Sequence, residues 1–104
     1  MNDTGAERRN FARERTHIEV EISKDFKQLK GIMEYVSFGG AFVSLPKTFQ
    51  KDSIIQIEFD VPGEYSSFHG NAKVVWVQKD KAMGLQFHDL PDPQKLKLEK
   101  LLAG

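Results

Sequence analysis

The chain contains no cysteine, which excludes disulfides, thiolate zinc sites and cysteine nucleophiles and fits a reducing, cytoplasmic setting. Net charge is also absent: 15 Lys and Arg balance 15 Asp and Glu. No global positive field therefore draws the chain to DNA, RNA or an anionic membrane, and a nucleic-acid polymer is not expected as a partner. Any anion site has to be local. No apolar run approaches the roughly 18–20 residues that span a bilayer, and the polar start MNDTGAERRN lacks the apolar segment of a signal peptide. A soluble, unexported protein without membrane insertion is expected. His17, His69 and His88 share no repeated ligand spacing, and neither HxxH nor HExxH occurs, so no metal is expected. Ser37 has no adjacent base and SFGG is not a GxSxG elbow. The carboxylates Glu58 and Asp60 stand two apart on one face of a predicted strand, without a partner to set up acid–base chemistry. The chain is read as a non-enzyme without a cofactor.

At 104 residues and 39% hydrophobic, the chain fits one domain around one core. Residues 1–15 are polar and charged, carry Gly5 and show no apolar period. They are expected to form a flexible arm, because they have too little apolar surface to offset the entropy of ordering. Residues 16–104 are expected to form the domain. Ile18, Val20 and Ile22 alternate with His17, Glu19 and Glu21, the period of a half-buried strand over 16–23. Further strands are expected over 27–36, 40–45, 53–61, 68–78 and 82–87; in the fourth, Ile55, Ile57, Phe59 and Val61 alternate with Gln56, Glu58 and Asp60. The connections at Pro46-Lys47, Pro62-Gly63 and Lys79-Asp80 are too short for crossover helices between parallel strands. An all-β fold is therefore expected, a small six-stranded antiparallel barrel, whose closure removes exposed strand edges. At the C-terminus the period changes. Asp92 can cap a short helix with Pro93 at its first position, and Gln94, Leu98, Leu101 and Leu102 follow at helical spacing. This helix should cover one barrel mouth. Trp76, in KVVWV, is read as core or mouth packing rather than as a stacking platform.

The local cationic source is RRNFARER at 8–15, where Arg8, Arg9, Arg13 and Arg15 face only Glu14 as an opposing charge. Guanidinium is planar, permanently charged and forked, so it can pair with guanine O6 and N7, stack on a base or clamp a phosphate. Downstream lies SFGG at 37–40. Its Ser hydroxyl and glycine N–H groups can approach phosphate oxygens where a Cβ would obstruct them. Alone, the arginines read as a solvated tail and SFGG as a turn or bulge between strands.

Arg9 and Arg13 form RxxxR, and Ser37 and Gly40 form the SxxG half of a second motif. In these residues, and in GGAFVSL, KVVWV and MGLQF beyond them, the sequence resembles the PilZ family, whose hallmark is RxxxR followed by (Asp/Asn)xSxxG. The resemblance covers roughly residues 7–102. Tyr35 stands where that family has Asp or Asn. The resemblance implies binding of the bacterial second messenger cyclic di-GMP, with Arg8, Arg9, Arg13, Tyr35, Ser37, Gly39 and Gly40 as ligand-binding residues. Arg9 and Arg13 would fold over a ligand held from below by Ser37 and Gly40, and Arg8 could stack on a second guanine. The ordered arm would then present a new surface to an unidentified protein partner, in bacterial motility or surface behaviour.

Tyr35 should weaken recognition. An acceptor at this position satisfies guanine N1–H and N2–H, whereas a phenol cannot accept both; an unpaired buried edge costs about 1–3 kcal/mol, roughly 5- to 150-fold in Kd. Stacking of the ring on a base is worth a similar amount, about 1–3 kcal/mol. Glu34 offers a carboxylate, but strand alternation points it to the opposite face unless a bulge intervenes. The alternative reading is a PilZ-like interaction adaptor that does not bind nucleotide. A small oligonucleotide-binding barrel is a weaker third, for want of a basic face.

Overall fold

The computed structural model describes the backbone of residues 14–103 and the side chains of residues 16–103. Six strands and one helix follow in order: β1 Glu14–Lys24, β2 Lys27–Val36, β3 Gly40–Ser44, β4 Ile54–Asp60, β5 Ser67–Gln78, β6 Ala82–His88 and α1 Asp92–Ala103. The strands close into a barrel in the order β1-β2-β3-β6-β5-β4, and every neighbouring pair is antiparallel. The expected six-stranded antiparallel barrel with a C-terminal helix is the observed fold. Its strand bounds differ from the expected ones by at most two residues, and β2 matches at both ends. β1 opens at Glu14 rather than at residue 16, because its first residues pair with the end of β2.

Alternation drives the core. Val20 and Ile22 of β1, and Ile55, Ile57 and Phe59 of β4, are almost completely buried, while the polar residues between them face outward. Phe68 is fully buried, stacked on Phe59 at 4.9 Å and tilted against Phe87 at 5.5 Å. Among the described residues no polar or charged residue is buried, so the interior is held by apolar burial and the backbone ladder alone. Four Asp residues sit at positive φ in the connections: Asp25 (57°), Asp52 (73°), Asp80 (55°) and Asp89 (50°). Asp tolerates this left-handed conformation better than most residues because its short carboxylate can bond locally.

One connection departs from a simple up-and-down path. β3 pairs with β2 and β6, not with β4, so residues 45–53 cross one end of the barrel instead of making a hairpin at Pro46-Lys47. The crossing is tied to the β5–β6 turn: Leu45 N–H donates to the Lys81 carbonyl (3.0 Å) and Asp80 N–H to Thr48 Oγ1 (3.1 Å). Buried Leu45 and part-buried Phe49 plug that end. At the other end, where β5 begins, α1 packs with Leu98 buried and Leu101 and Leu102 against the core. Gln94 Oε1 accepts from His69 N–H (2.8 Å), and Lys97 Nζ donates to the Ser67 carbonyl (2.7 Å). The helix thus takes the mouth-covering position expected of it.

Gly40, the first residue of β3, is required by packing. A Cβ there would overlap the carbonyl oxygen of Leu85 on β6, which is backbone and cannot rotate away. Gly40→Ala should therefore force β3 and β6 apart and lower stability by about 1–3 kcal/mol. Phe68→Ala should cost about 3–5 kcal/mol by emptying the aromatic cluster. Urea denaturation checks both: the midpoint should fall with an unchanged slope, and a wild-type midpoint in either variant would contradict the packing described.

Candidate functional site

Tyr35 ends the outward side of β2, Ser37 and Gly39 lie in the short loop after it, and Gly40 opens β3. The fold brings these four together. They line one shallow depression of about 260 Å³ whose remaining wall includes Phe42 and Val75. Within the loop, Ser37 Oγ accepts from Gly39 N–H (3.1 Å), Ser37 N–H donates to the Gly40 carbonyl (2.9 Å), and Phe87 N–H donates to the Gly39 carbonyl (2.9 Å). The Gly39 N–H is therefore committed to Ser37, and the Ser37 hydroxyl retains its own proton to donate outward. Gly40 serves the packing of β3 on β6, which is the structural reading of SFGG. Arg8, Arg9 and Arg13 lie outside the described residues.

Around the barrel, the residues flanking this depression form one row in register: Arg15 opposite Tyr35, Tyr35 opposite Phe42, Phe42 opposite Gly84, and Gly84 opposite Trp76. The rows on either side point inward. Met33, Val43 and Met83 are fully buried on one side; Val36, Ala41, Leu85 and Val74 are buried on the other. Tyr35, Phe42 and Trp76 of the middle row consequently face out. Tyr35 meets Phe42 edge-on at 6.3 Å, and Phe42 lies tilted against Trp76 at 5.6 Å. Gly84 leaves the gap on β6 across which those last two rings touch; a Cβ there would stand 3.3 Å from that of Trp76. Trp76 is 46% exposed, which corrects its reading as core or mouth packing. It belongs to an aromatic strip on the outer wall.

Three register shifts meet this row, one of them in β1 between Arg15 and Ile18; the other two each turn an extra residue outward. In β2 the register with β3 shifts between Met33 and Tyr35, and in β5 the register with β6 shifts between Val74 and Trp76. Each inserts one extra residue, Glu34 and Val75, so the sequence runs inward, outward, outward, inward through MEYV and again through VVWV. Glu34 therefore shares the outer wall with Tyr35. Its Oε2 accepts from Ser44 Oγ (3.2 Å), and its Oε1 lies 3.8 Å from His17 Nδ1. Sequence reasoning missed Phe42, Trp76 and Val75 as site neighbours and left Glu34 on the opposite face. The available signal was the pair of three-residue spacings between core residues, Met33 to Val36 and Val74 to Val77, which an unbroken strand cannot produce.

The three histidines pair with separate carboxylates: His17 with Glu34, His69 with Glu58 (3.7 Å) and His88 with Asp89 (3.2 Å). Among the described residues no three His, Asp or Glu side chains converge to hold a metal ion, and no helix is long and apolar enough to cross a membrane.

No curated protein sequence matches the chain. Solved structures similar to it include the Bacillus subtilis inhibitor of motility MotI/DgrA (TM-score 0.76, 19% identity, 92% of this chain and 50% of that one). Others are the PilZ domain of YcgR from Escherichia coli with c-di-GMP (TM-score 0.74, 17% identity, 92% and 89%) and the PilZ domain of CeSA from a cellulose-synthesizing bacterium (TM-score 0.70, 21% identity, 88% and 95%). The chain thus spans half the length of MotI/DgrA and most of the two isolated domains. At these identities the likeness establishes the barrel. The sequence profile of the PilZ domain matches residues 7–104, nearly the whole chain, and the chain belongs to the PilZ domain family.

Proposed function

We infer that this domain is a cyclic di-GMP receptor whose arginine-bearing N-terminal segment orders over the ligand and thereby signals to a protein partner. The observation that carries the reading is the convergence of Tyr35, Ser37, Gly39 and Gly40 on one outward depression beside the start of β1. Glu14 pairs with Val36, the residue before Ser37, and Arg13 immediately precedes Glu14. Arg9 lies five residues before Glu14. Family membership supports the ligand, as does the YcgR PilZ domain, whose structure contains c-di-GMP.

In this reading Arg9 and Arg13 clamp phosphate and guanine, Arg8 stacks on a second guanine, and the Ser37 hydroxyl donates to a phosphate oxygen. The aromatic strip adds a wall on which a base can stack. A ligand shifts a population only through contacts it makes in one state and not the other. The two phosphates and two guanines supply those contacts when the segment closes. Signalling without catalysis, in the cytoplasm, belongs to the same reading. MotI/DgrA is an inhibitor of motility, which favours a motility or surface-behaviour output here as well. One observation favours a second reading, a protein-interaction adaptor without nucleotide: Tyr35 occupies the position of the family's Asp or Asn.

Equilibrium titration with cyclic di-GMP, against GTP and cyclic di-AMP, separates the two. Saturable micromolar binding of cyclic di-GMP supports the receptor, and silence supports the adaptor. In the receptor, Arg13→Ala should abolish measurable binding, because a charge-assisted bidentate contact is lost; undiminished binding would remove the segment from the mechanism. Trp76 is the chain's one tryptophan and stands at the end of the aromatic strip. Its emission should change saturably with cyclic di-GMP, and Phe42→Ala should weaken the response. Binding by calorimetry with unchanged Trp76 emission would place the ligand away from the strip.

A further inference from the structure

We propose that Glu34 reads guanine in this domain, supplying from the bulge in β2 the acceptor that Tyr35 cannot. The inference rests on the receptor reading above. Met33 and Val36 are both fully buried, and the register shift between Met33 and Tyr35 turns both residues between them to the outer wall. The carboxylate of Glu34 therefore stands on the same face as the phenol of Tyr35, one residue along the strand.

The chemistry of that face suits a guanine edge. Guanine presents N1–H and N2–H side by side as donors. An ionised carboxylate is acceptor-only and takes two parallel donors, whereas a phenol oxygen cannot meet both. Glu34 is also held. Ser44 Oγ donates to Oε2 at 3.2 Å, His17 Nδ1 lies 3.8 Å from Oε1, and the side chain is 31% exposed. Each carboxylate oxygen accepts more than one hydrogen bond, so these contacts hold the group, which is part-exposed, without exhausting its acceptor capacity. A side chain already ordered loses less entropy when a ligand arrives. Tyr35, edge-on to Phe42, is then a wall beside the reader rather than a failed reader. Glu34 thereby sets the preference for guanine over other bases on this wall.

The test compares cyclic di-GMP with cyclic di-IMP, which differs only in lacking the two exocyclic N2 amino groups. The readout is the ratio of their dissociation constants on the full chain, for wild type and for Glu34→Gln, with thermal melting to confirm the fold of the variant. Removing one hydrogen bond to a carboxylate is worth about 1.5–3 kcal/mol, so wild type should prefer cyclic di-GMP by about tenfold or more. In Glu34→Gln the amide oxygen can still accept N1–H, but its NH2 then faces the N2 amino group, so cyclic di-GMP should weaken more than cyclic di-IMP and the ratio should fall toward one. A wild-type ratio near one, or a ratio that Glu34→Gln leaves unchanged, overturns the assignment and leaves the receptor reading standing. If wild type binds neither nucleotide, the receptor reading and the role of Glu34 fall together.

Discussion

Met33 and Val36 lie three residues apart and are both fully buried. A strand of strict period two can bury only one of them, since successive side chains point to opposite faces. The barrel resolves the conflict by inserting one residue into β2, and the same solution recurs in β5, where Val74 is fully buried and Val77 packs against the core. The inserted residues and their neighbours, Glu34 with Tyr35 and Val75 with Trp76, are thereby turned outward. The demands of the core thus create the outward surface, and substituting either core residue of a pair would disturb the surface residues between them.

The surface so produced is chemically mixed. Tyr35, Phe42 and Trp76 form a strip of rings across four strands, made continuous by Gly84, which has no side chain to separate the last two. Next to the strip, Ser37 directs a hydroxyl from a loop pinned to β6 through the Gly39 carbonyl. Glu34 adds a carboxylate on the other side of Tyr35. Three aromatic rings, a hydroxyl and a carboxylate share one wall. β1, whose first residues border this wall, is preceded in sequence by Arg13 and, four residues earlier, Arg9.

Much of the fold was legible because alternation is a local property. The runs through Ile18, Val20 and Ile22 and through Ile55, Ile57 and Phe59 announce which face is core, and Asp92-Pro93 announces where the helix starts. The convergence of Tyr35, Ser37, Gly39 and Gly40 was legible too, since they are neighbours in sequence. The aromatic strip was not. Phe42 and Trp76 are far apart along the chain, and their contact depends on β6 lying between β3 and β5, an order that follows from the crossing of residues 45–53. Trp76 in particular resembled a core residue because it is flanked by valines, and only the extra residue at Val75 turns it out.

The sequence by itself determined the strand and helix segments, the neutral charge balance, the absence of thiol chemistry and the family motifs, all of which depend on residue type and short-range spacing. Tertiary structure alone decided which strands are neighbours, where the register slips, and therefore which side chains share a face. The physical reason is that a bulge is a compromise between two strands. Neither strand's residues specify it until the partner's hydrogen bonds and the shared core impose the mismatch, and in this barrel that mismatch places Glu34 and Trp76 on the outer wall.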